Sequence, residues 1–154
     1  MASTREHTAE MVMVHPSIGN LFVWRSIYKD DDRYYVQAIR VSPFSEPKIY
    51  SGDSIKVFIP EVELDTLDLD SVFYSDIRRF RKFARDYLVV HPDYPGTIGD
   101  LRMGILPNSI KPLWGISINL NNQNEHVSMD NYERSVDGNK IQIFISMLLG
   151  RNLP

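Results

Sequence analysis

The 154-residue sequence contains no cysteine. This absence excludes a disulfide framework, a zinc site built on thiolates and a cysteine nucleophile. It does not decide the cellular compartment, because a periplasmic domain of this size can also be stable without disulfides.

The sequence also lacks a long apolar run. No segment approaches the roughly 18–20 residues that a membrane-spanning helix needs. The first residues, MASTREHTAEM, have no apolar signal core either. Their mixed charge is typical of the interior of a longer protein. We therefore expect residues 1–13 to be a tail or linker after a missing membrane segment, with Met1 supplied, and residues 14–154 to form a single soluble domain.

Neither sign of charge dominates the sequence. A net charge of −3 argues against a dedicated nucleic-acid binder, whose binding face is usually strongly basic. A hydrophobic content of 43% is ordinary for a globular chain, so we expect a folded core. No internal repeat or low-complexity segment is present.

A compact metal-ligand or catalytic motif is missing as well. The four histidines lie too far apart in sequence for the helical spacings that bind zinc, so only a long-range site stays open (His7, His15, His91 and His126). The acidic run Asp30–Asp32 lacks the glycine and the alternating ligands of a calcium loop, and a solvated hairpin tip is the preferred interpretation. We predict no catalytic residue and no metal ligand.

The segments that are present predict an α+β fold. Dense β-branched and aromatic residues predict a hairpin of two strands, and shorter runs predict further strands around it. The predicted strands before the first helix are Met11–Val14, Leu21–Tyr28, Arg33–Ser42, Lys48–Tyr50 and Ile55–Ile59, with a turn at residues 51–53. Two strand-like runs follow near Asp100 and Trp114, and an edge strand is predicted at His126–Met129.

Two helices complete the prediction. Apolar residues at helical spacing predict a long helix over Ser71–Val89, with Asp70 or Ser71 as its cap. A shorter helix is predicted over Lys140–Leu149, stopped by Gly150. The expected architecture is an antiparallel sheet of about five to seven strands with one long and one shorter helix packed on it.

The long helix carries five basic residues. A basic amphipathic helix can bind anionic lipid headgroups, and the alternative is a solvated outer face. The candidates for membrane-surface contact are Arg78, Arg79, Arg81, Lys82 and Arg85.

Asp100 and Arg102 are the best candidates for a polar site. Two residues apart in a strand, they would share a face. One interpretation is a partly buried ion pair that fixes strand register, and the other is a recognition site with Arg102 as a bidentate donor. Trp24 and Trp114 are further candidates for ligand or domain contact, although tryptophans more often belong to the core.

Four segments carry a resemblance to a known family: GNLFVWRSIY, DDRYYVQAIRV, IRRFRKFARDYL and GDLRMGILPNSIKPLWGI. Together they resemble the soluble C-terminal domain of bacterial membrane-bound metal-dependent hydrolases, from about Val14 to Gly150. The most specific matches are the strand with Asn20, Trp24 and Arg25, the aromatic helix that ends near Tyr87, and the Asp100-x-Arg102 segment that leads to Trp114.

The resemblance implies an extramembrane accessory or regulatory domain that is inactive alone. The family's metal ligands lie in the membrane portion, so none is carried onto this chain and no cofactor is expected in it. The implied partners are the protein's own membrane domain and an anionic lipid surface, with no nucleic acid, on either side of a bacterial membrane. Two alternatives stay open: a free-standing small-ligand module with an Asp/Arg site, and an acid–base enzyme that pairs Asp100 with His91 or His126.

Overall fold

Eight strands and three helices form in the computed structural model, which describes residues 7–132 and 135–154. The elements are β1 (Met11–Pro16), β2 (Val23–Asp30), β3 (Arg33–Ser42), β4 (Ser45–Lys56), α1 (Pro60–Glu63), α2 (Val72–Phe83), β5 (Leu88–His91), β6 (Tyr94–Asp100), β7 (Trp114–Ser117), β8 (Met129–Asn131) and α3 (Gly138–Leu148). The α+β class is confirmed. Residues 1–6 of the predicted tail lie outside the described residues.

The chain forms two compact units, and each contains one sheet. Unit 1 comprises residues 1–55, 104–110 and 135–154, and unit 2 comprises residues 56–103 and 111–134. Each sheet is antiparallel and has four strands, in the orders β1-β2-β3-β4 and β5-β6-β7-β8. The predicted single sheet of five to seven strands was therefore wrong in detail, because the sequence pattern does not show which strands pair. No helix in the described part of the chain is both long and apolar enough to span a membrane.

Unit 1 contains the predicted hairpin. β2 and β3 pair from Asp30 opposite Arg33 to Val23 opposite Arg40, so only two residues form the turn. Asp31 adopts φ +54 there, a conformation that aspartate tolerates better than most residues. The bounds of β3 match the prediction, and β2 begins two residues later than predicted.

Helix α3 closes the core of unit 1. Its Met147 is fully buried with Val23, Ala38 and Tyr50. The Asp137 side chain caps the start of the helix by accepting from the Lys140 N–H. Gly150 ends it with φ +73, as the sequence predicted.

Strand β4 corrects the prediction of two short strands. It runs unbroken through Pro47 and Gly52, so the turn predicted at residues 51–53 was wrong. β4 is an edge strand, where proline is tolerated because one row of N–H groups has no ladder partner. A Cβ at Gly52 would overlap the Asn108 carbonyl oxygen, so glycine here permits close packing rather than a turn.

Unit 2 packs α2 against its sheet. The buried core contains Phe58, Leu64, Phe73, Ile77, Phe80, Ala84, Leu88, Ile98 and Ile116. Ser71 caps α2 as predicted, because its side chain accepts from the Tyr74 N–H.

The end of α2 lies six residues before the predicted end. Arg85 and Asp86 adopt φ +51 and +66, which stops the helix. The next residues form β5, beginning at Leu88. Neither Arg85 nor Asp86 is a glycine, so the sequence gives no clear stop signal at this point.

Candidate functional site

Asp100 is the most enclosed charged group of unit 2. It ends β6 with no exposed surface. Its Oδ1 accepts from the Arg102 backbone N–H at 3.1 Å and from Arg102 Nε at 2.9 Å. Its Oδ2 accepts from Arg102 Nη2 at 2.7 Å and from Trp114 Nε1 at 3.3 Å. Both carboxylate oxygens are therefore occupied by donors of this unit.

The path of the chain explains how Asp100 and Arg102 meet. The prediction that they share a strand face was wrong, because β6 ends at Asp100 and Arg102 lies in the turn that follows. The turn returns the guanidinium to its neighbour and forms a bidentate ion pair across two residues. The geometry has the form of the predicted structural ion pair, since a buried carboxylate needs a partner and further donors.

Aromatic side chains enclose this ion pair. The Arg102 side chain is only 13% exposed, and its guanidinium lies 5.3 Å from the centre of the Phe83 ring. Burial raises the pKa of nearby Tyr87, although the Arg102 charge opposes the shift. The arrangement holds the ion pair almost out of contact with solvent.

Three of the four predicted contact residues belong to unit 2 and the fourth belongs to unit 1. Asp100, Arg102 and Trp114 come together in unit 2. Trp24 belongs to unit 1, where its Nε1 donates to the Leu21 carbonyl at 3.0 Å. Their roles in ligand or domain contact stay predictions.

A second polar contact, between Asp76 and His126, joins α2 to the loop before β8. His126 Nδ1 lies 2.8 Å from Asp76 Oδ2, which also accepts from the Val127 N–H at 3.2 Å. Burial acts to raise the pKa of Asp76, but the His126 and Val127 hydrogen bonds outweigh it and the pKa lies below its ordinary value. Arg79 contacts the other oxygen at 3.2 Å.

Sequence reasoning missed Asp76, although one signal was available. Asp76 precedes Ile77 and lies four residues before Phe80, at the edge of the apolar stripe of α2, where a carboxylate needs a partner. The pairing also bears on the acid–base alternative. His126 bonds to Asp76 rather than to Asp100, so that pairing was wrong.

The other histidines have local partners. His91 is buried, packs against the rings of Tyr94 and Tyr132, and accepts from the Asp93 N–H at 3.1 Å. His7 Nδ1 lies 3.2 Å from the Tyr28 hydroxyl. Among residues 7–132 and 135–154, no three His, Asp or Glu side chains are grouped to hold a metal ion.

Unit 1 contains a buried guanidinium that the sequence did not single out for this role. Arg25 is 2% exposed and donates to the carbonyls of Leu106, Pro107 and Ser109 at 2.8–3.1 Å. These bonds fix the 104–110 segment on the sheet of unit 1.

The five basic residues of the α2 region fall into two groups. Arg79 pairs with Asp76, and Arg81 pairs with Glu61 and Asp86. The other three are exposed and have no ion pair recorded within the described residues: Arg78, Lys82 and Arg85. Arg78 and Lys82 are four residues apart in α2 and therefore lie on one side of the helix, whereas Arg85 lies in the left-handed turn that follows it. We call these three residues the basic stripe.

Comparisons with protein-family models, with curated proteins and with solved structures return no match for this chain. The resemblance to membrane-bound hydrolases therefore still rests on the four sequence segments that carry it.

Proposed function

We propose that this chain is an extramembrane accessory or regulatory domain of a membrane-bound metal-dependent hydrolase, and that it has no hydrolase activity alone. The basic stripe Arg78–Lys82–Arg85 binds the anionic surface of the membrane. That stripe is the observation that carries the proposal, because its three exposed cations form no ion pair within the described residues, although the Arg78 charge also acts on Glu61.

Packing fixes the direction of the stripe. Phe73, Ile77 and Phe80 anchor the inner side of α2 in the core of unit 2. The opposite side of α2 therefore already faces outward in the folded unit, and binding spends no conformational entropy on orienting the helix.

Lipid electrostatics give the size of the expected effect. A basic residue near an anionic leaflet contributes about 1 kcal/mol, or about five-fold in affinity. Three residues acting together would supply about 3 kcal/mol. Arg79 and Arg81 should contribute less, because each already interacts with a carboxylate of unit 2.

The small-ligand alternative has weaker support. A ligand at Arg102 would have to displace Asp100 from two short hydrogen bonds, at 2.9 and 2.7 Å. The freed carboxylate would then be buried without its cation, which costs several kcal/mol. The Asp100–Arg102 pair is therefore better suited to holding unit 2 together than to binding an anion.

Vesicle co-sedimentation tests the membrane contact. Binding to vesicles of mixed phosphatidylserine and phosphatidylcholine should fall about 100-fold in the triple variant Arg78→Gln, Lys82→Gln, Arg85→Gln. Arg79→Gln on the same helix is the matched control and should bind almost as the native chain does. Equal losses in both variants would contradict the stripe.

A separate experiment tests the accessory role. Elemental analysis and a broad hydrolase screen would be run on this chain and on a longer gene product in detergent. Metal and turnover are expected in the longer protein only. Stoichiometric metal or turnover in this chain alone would overturn the proposal.

A further inference from the structure

Five apolar side chains lie exposed at one end of the unit 1 sheet. β1 to β4 form an antiparallel meander, so the β1–β2 and β3–β4 connections fall at the same end. The Val41 N–H donates to the Phe22 carbonyl at 2.8 Å and links the two. We call this region the apolar end; its residues are Ile18, Leu21, Phe22, Val41 and Phe44.

The exposure at the apolar end is large. Ile18 is 84% exposed and Phe44 is 93% exposed. Single exposed apolar residues are common, but a group of five on two linked connections is a mark of a binding surface.

Hydrogen bonds hold the β1–β2 connection in this form. Asn20 Oδ1 accepts from the N–H groups of Phe22 and Val23 at 3.0 and 2.7 Å. Ser17 Oγ donates to the Val23 carbonyl at 2.8 Å. Gly19 supplies the left-handed turn with φ +78. Ile18 and Leu21 are therefore presented outward by a built loop.

Charge is distributed unevenly along the same sheet. Residues 16–24 and 41–45 contain no charged side chain. Behind them, Arg40 donates to Ser45 Oγ and Lys48 to the Gly150 carbonyl, while Glu46 is the nearest acid in the β3–β4 segment. The opposite end carries the β2–β3 turn, where five acids outnumber the two bases Lys29 and Arg33; the acids are Glu10, Asp30, Asp31, Asp32 and Asp53.

Helix α3 extends the uncharged surface. Residues 141–150 contain no charge, and Lys140 and Arg151 flank them. Ile141, Ile145 and Leu149 are exposed at a spacing of four, so they form one apolar stripe. The C-terminal end of α3 lies beside the apolar end, because Arg40 Nε donates to the Leu148 carbonyl at 2.9 Å.

We propose that the apolar end inserts into the interfacial layer of a lipid bilayer. A bilayer fits the observed order, since apolar tips would enter the acyl boundary, the cations behind them would meet phosphates, and the acidic end would point to water. The inference shares the membrane with the proposed function but rests on different residues, in unit 1 rather than on α2.

A site-specific fluorophore tests this insertion. Because the chain has no native cysteine, Ile18→Cys can be labelled at one position with an environment-sensitive dye. Vesicles are expected to shift its emission to the blue. Asp32→Cys at the acidic end is the matched control and should not change. An unchanged spectrum at Ile18→Cys with both neutral and anionic vesicles would overturn the proposal.

A second variant measures the contribution of one tip. Phe44→Ser should weaken vesicle binding about ten-fold, because the substitution removes an aromatic ring that would be buried in the lipid. Folding should be unaffected, since the ring touches solvent almost everywhere. Binding equal to that of the native chain would exclude Phe44 from insertion and count against the proposal.

The two membrane contacts can fail separately. The triple Gln variant of the basic stripe should lose the salt-sensitive part of binding while labelled Ile18→Cys keeps its blue shift at low salt and high lipid. A blue shift that appears without vesicles as the protein concentration rises would show self-association of the apolar end, and would overturn the lipid assignment while leaving the stripe untouched.

Discussion

The ion pair of Asp100 and Arg102 shows how one buried charge is made tolerable. Asp100 receives four hydrogen bonds, three from Arg102 and one from Trp114. Arg102 is in turn covered by Phe83. Removing either residue leaves the charge of the other buried with no opposite charge beside it.

Arg102→Ala is expected to lower the free energy of unfolding by about 3 kcal/mol. The reason is that Asp100 keeps its burial and loses its cation. Urea denaturation followed by circular dichroism measures the loss. Arg79→Ala is the control, because its ion pair has an arginine that is 74% exposed and should contribute under about 1 kcal/mol. A loss below about 0.5 kcal/mol for Arg102→Ala would show that Asp100 is effectively solvated.

Asp76 should make stability sensitive to acid. Its folded pKa lies below the ordinary value, so its stabilising contribution is complete above that ordinary value. The contribution is lost as the pH falls through the folded pKa. Among the groups that lower the pKa of Asp76, the His126 side chain has the largest effect. In His126→Ala, the free energy of unfolding should therefore fall less steeply as the pH is lowered. Thermal unfolding from pH 7 to pH 2 measures it, and parallel curves for both proteins would refute the coupling.

At the scale of elements, helices and strands were predicted correctly where a few neighbouring residues carry a strong preference for one structure. The β2–β3 hairpin and the presence of α3 were predicted because a run of strand formers and a terminal Gly each act over a few residues, whereas the Asp137 cap was not recognised and α3 begins two residues before the predicted start. The end of α2 was missed because Tyr87 and Leu88 continue its apolar stripe beyond the point where the backbone turns. β4 was divided in error because Pro47 and Gly52 are usually breakers.

The two glycines at the ends of α3 should respond in opposite ways to alanine. Gly150→Ala should cost about 1 kcal/mol, since φ +73 is unfavourable for a residue with a Cβ. Gly138→Ala should be neutral or stabilising, because nothing lies within 4 Å of the added Cβ and alanine favours the helix. Urea midpoints of the two variants measure the difference. Equal effects would mean that the Gly150 backbone can relax.

At the scale of the whole molecule, the chain alternates between its two units. Neither unit is a continuous stretch of sequence, and the 104–110 segment of unit 1 lies between two segments of unit 2. This division could not be predicted from the sequence, because it depends on strand pairing across long separations. The same limit hid the Asp76–His126 pair, whose members are 50 residues apart. The Asp100–Arg102 pair was found because its members are near neighbours.

One tryptophan in each unit makes cooperativity measurable. Trp24 reports on unit 1 and Trp114 on unit 2. In Trp24→Phe and in Trp114→Phe, the remaining fluorescence should change at the same urea concentration as the circular dichroism of that variant, because the chain segments of the two units are interleaved. Separate midpoints within one variant would show that a unit unfolds by itself.

The position of Met147 has a consequence for synthesis. Met147 completes a core whose other members, Val23, Ala38 and Tyr50, leave the ribosome much earlier. Every residue of unit 2, which ends at residue 134, is also translated before α3. Unit 2 is therefore the first of the two units to be completely translated, although its chain begins after that of unit 1. The nascent sheet of unit 1 must wait with its core side uncovered, which makes the interval before α3 emerges the period of greatest exposure to aggregation or chaperone capture.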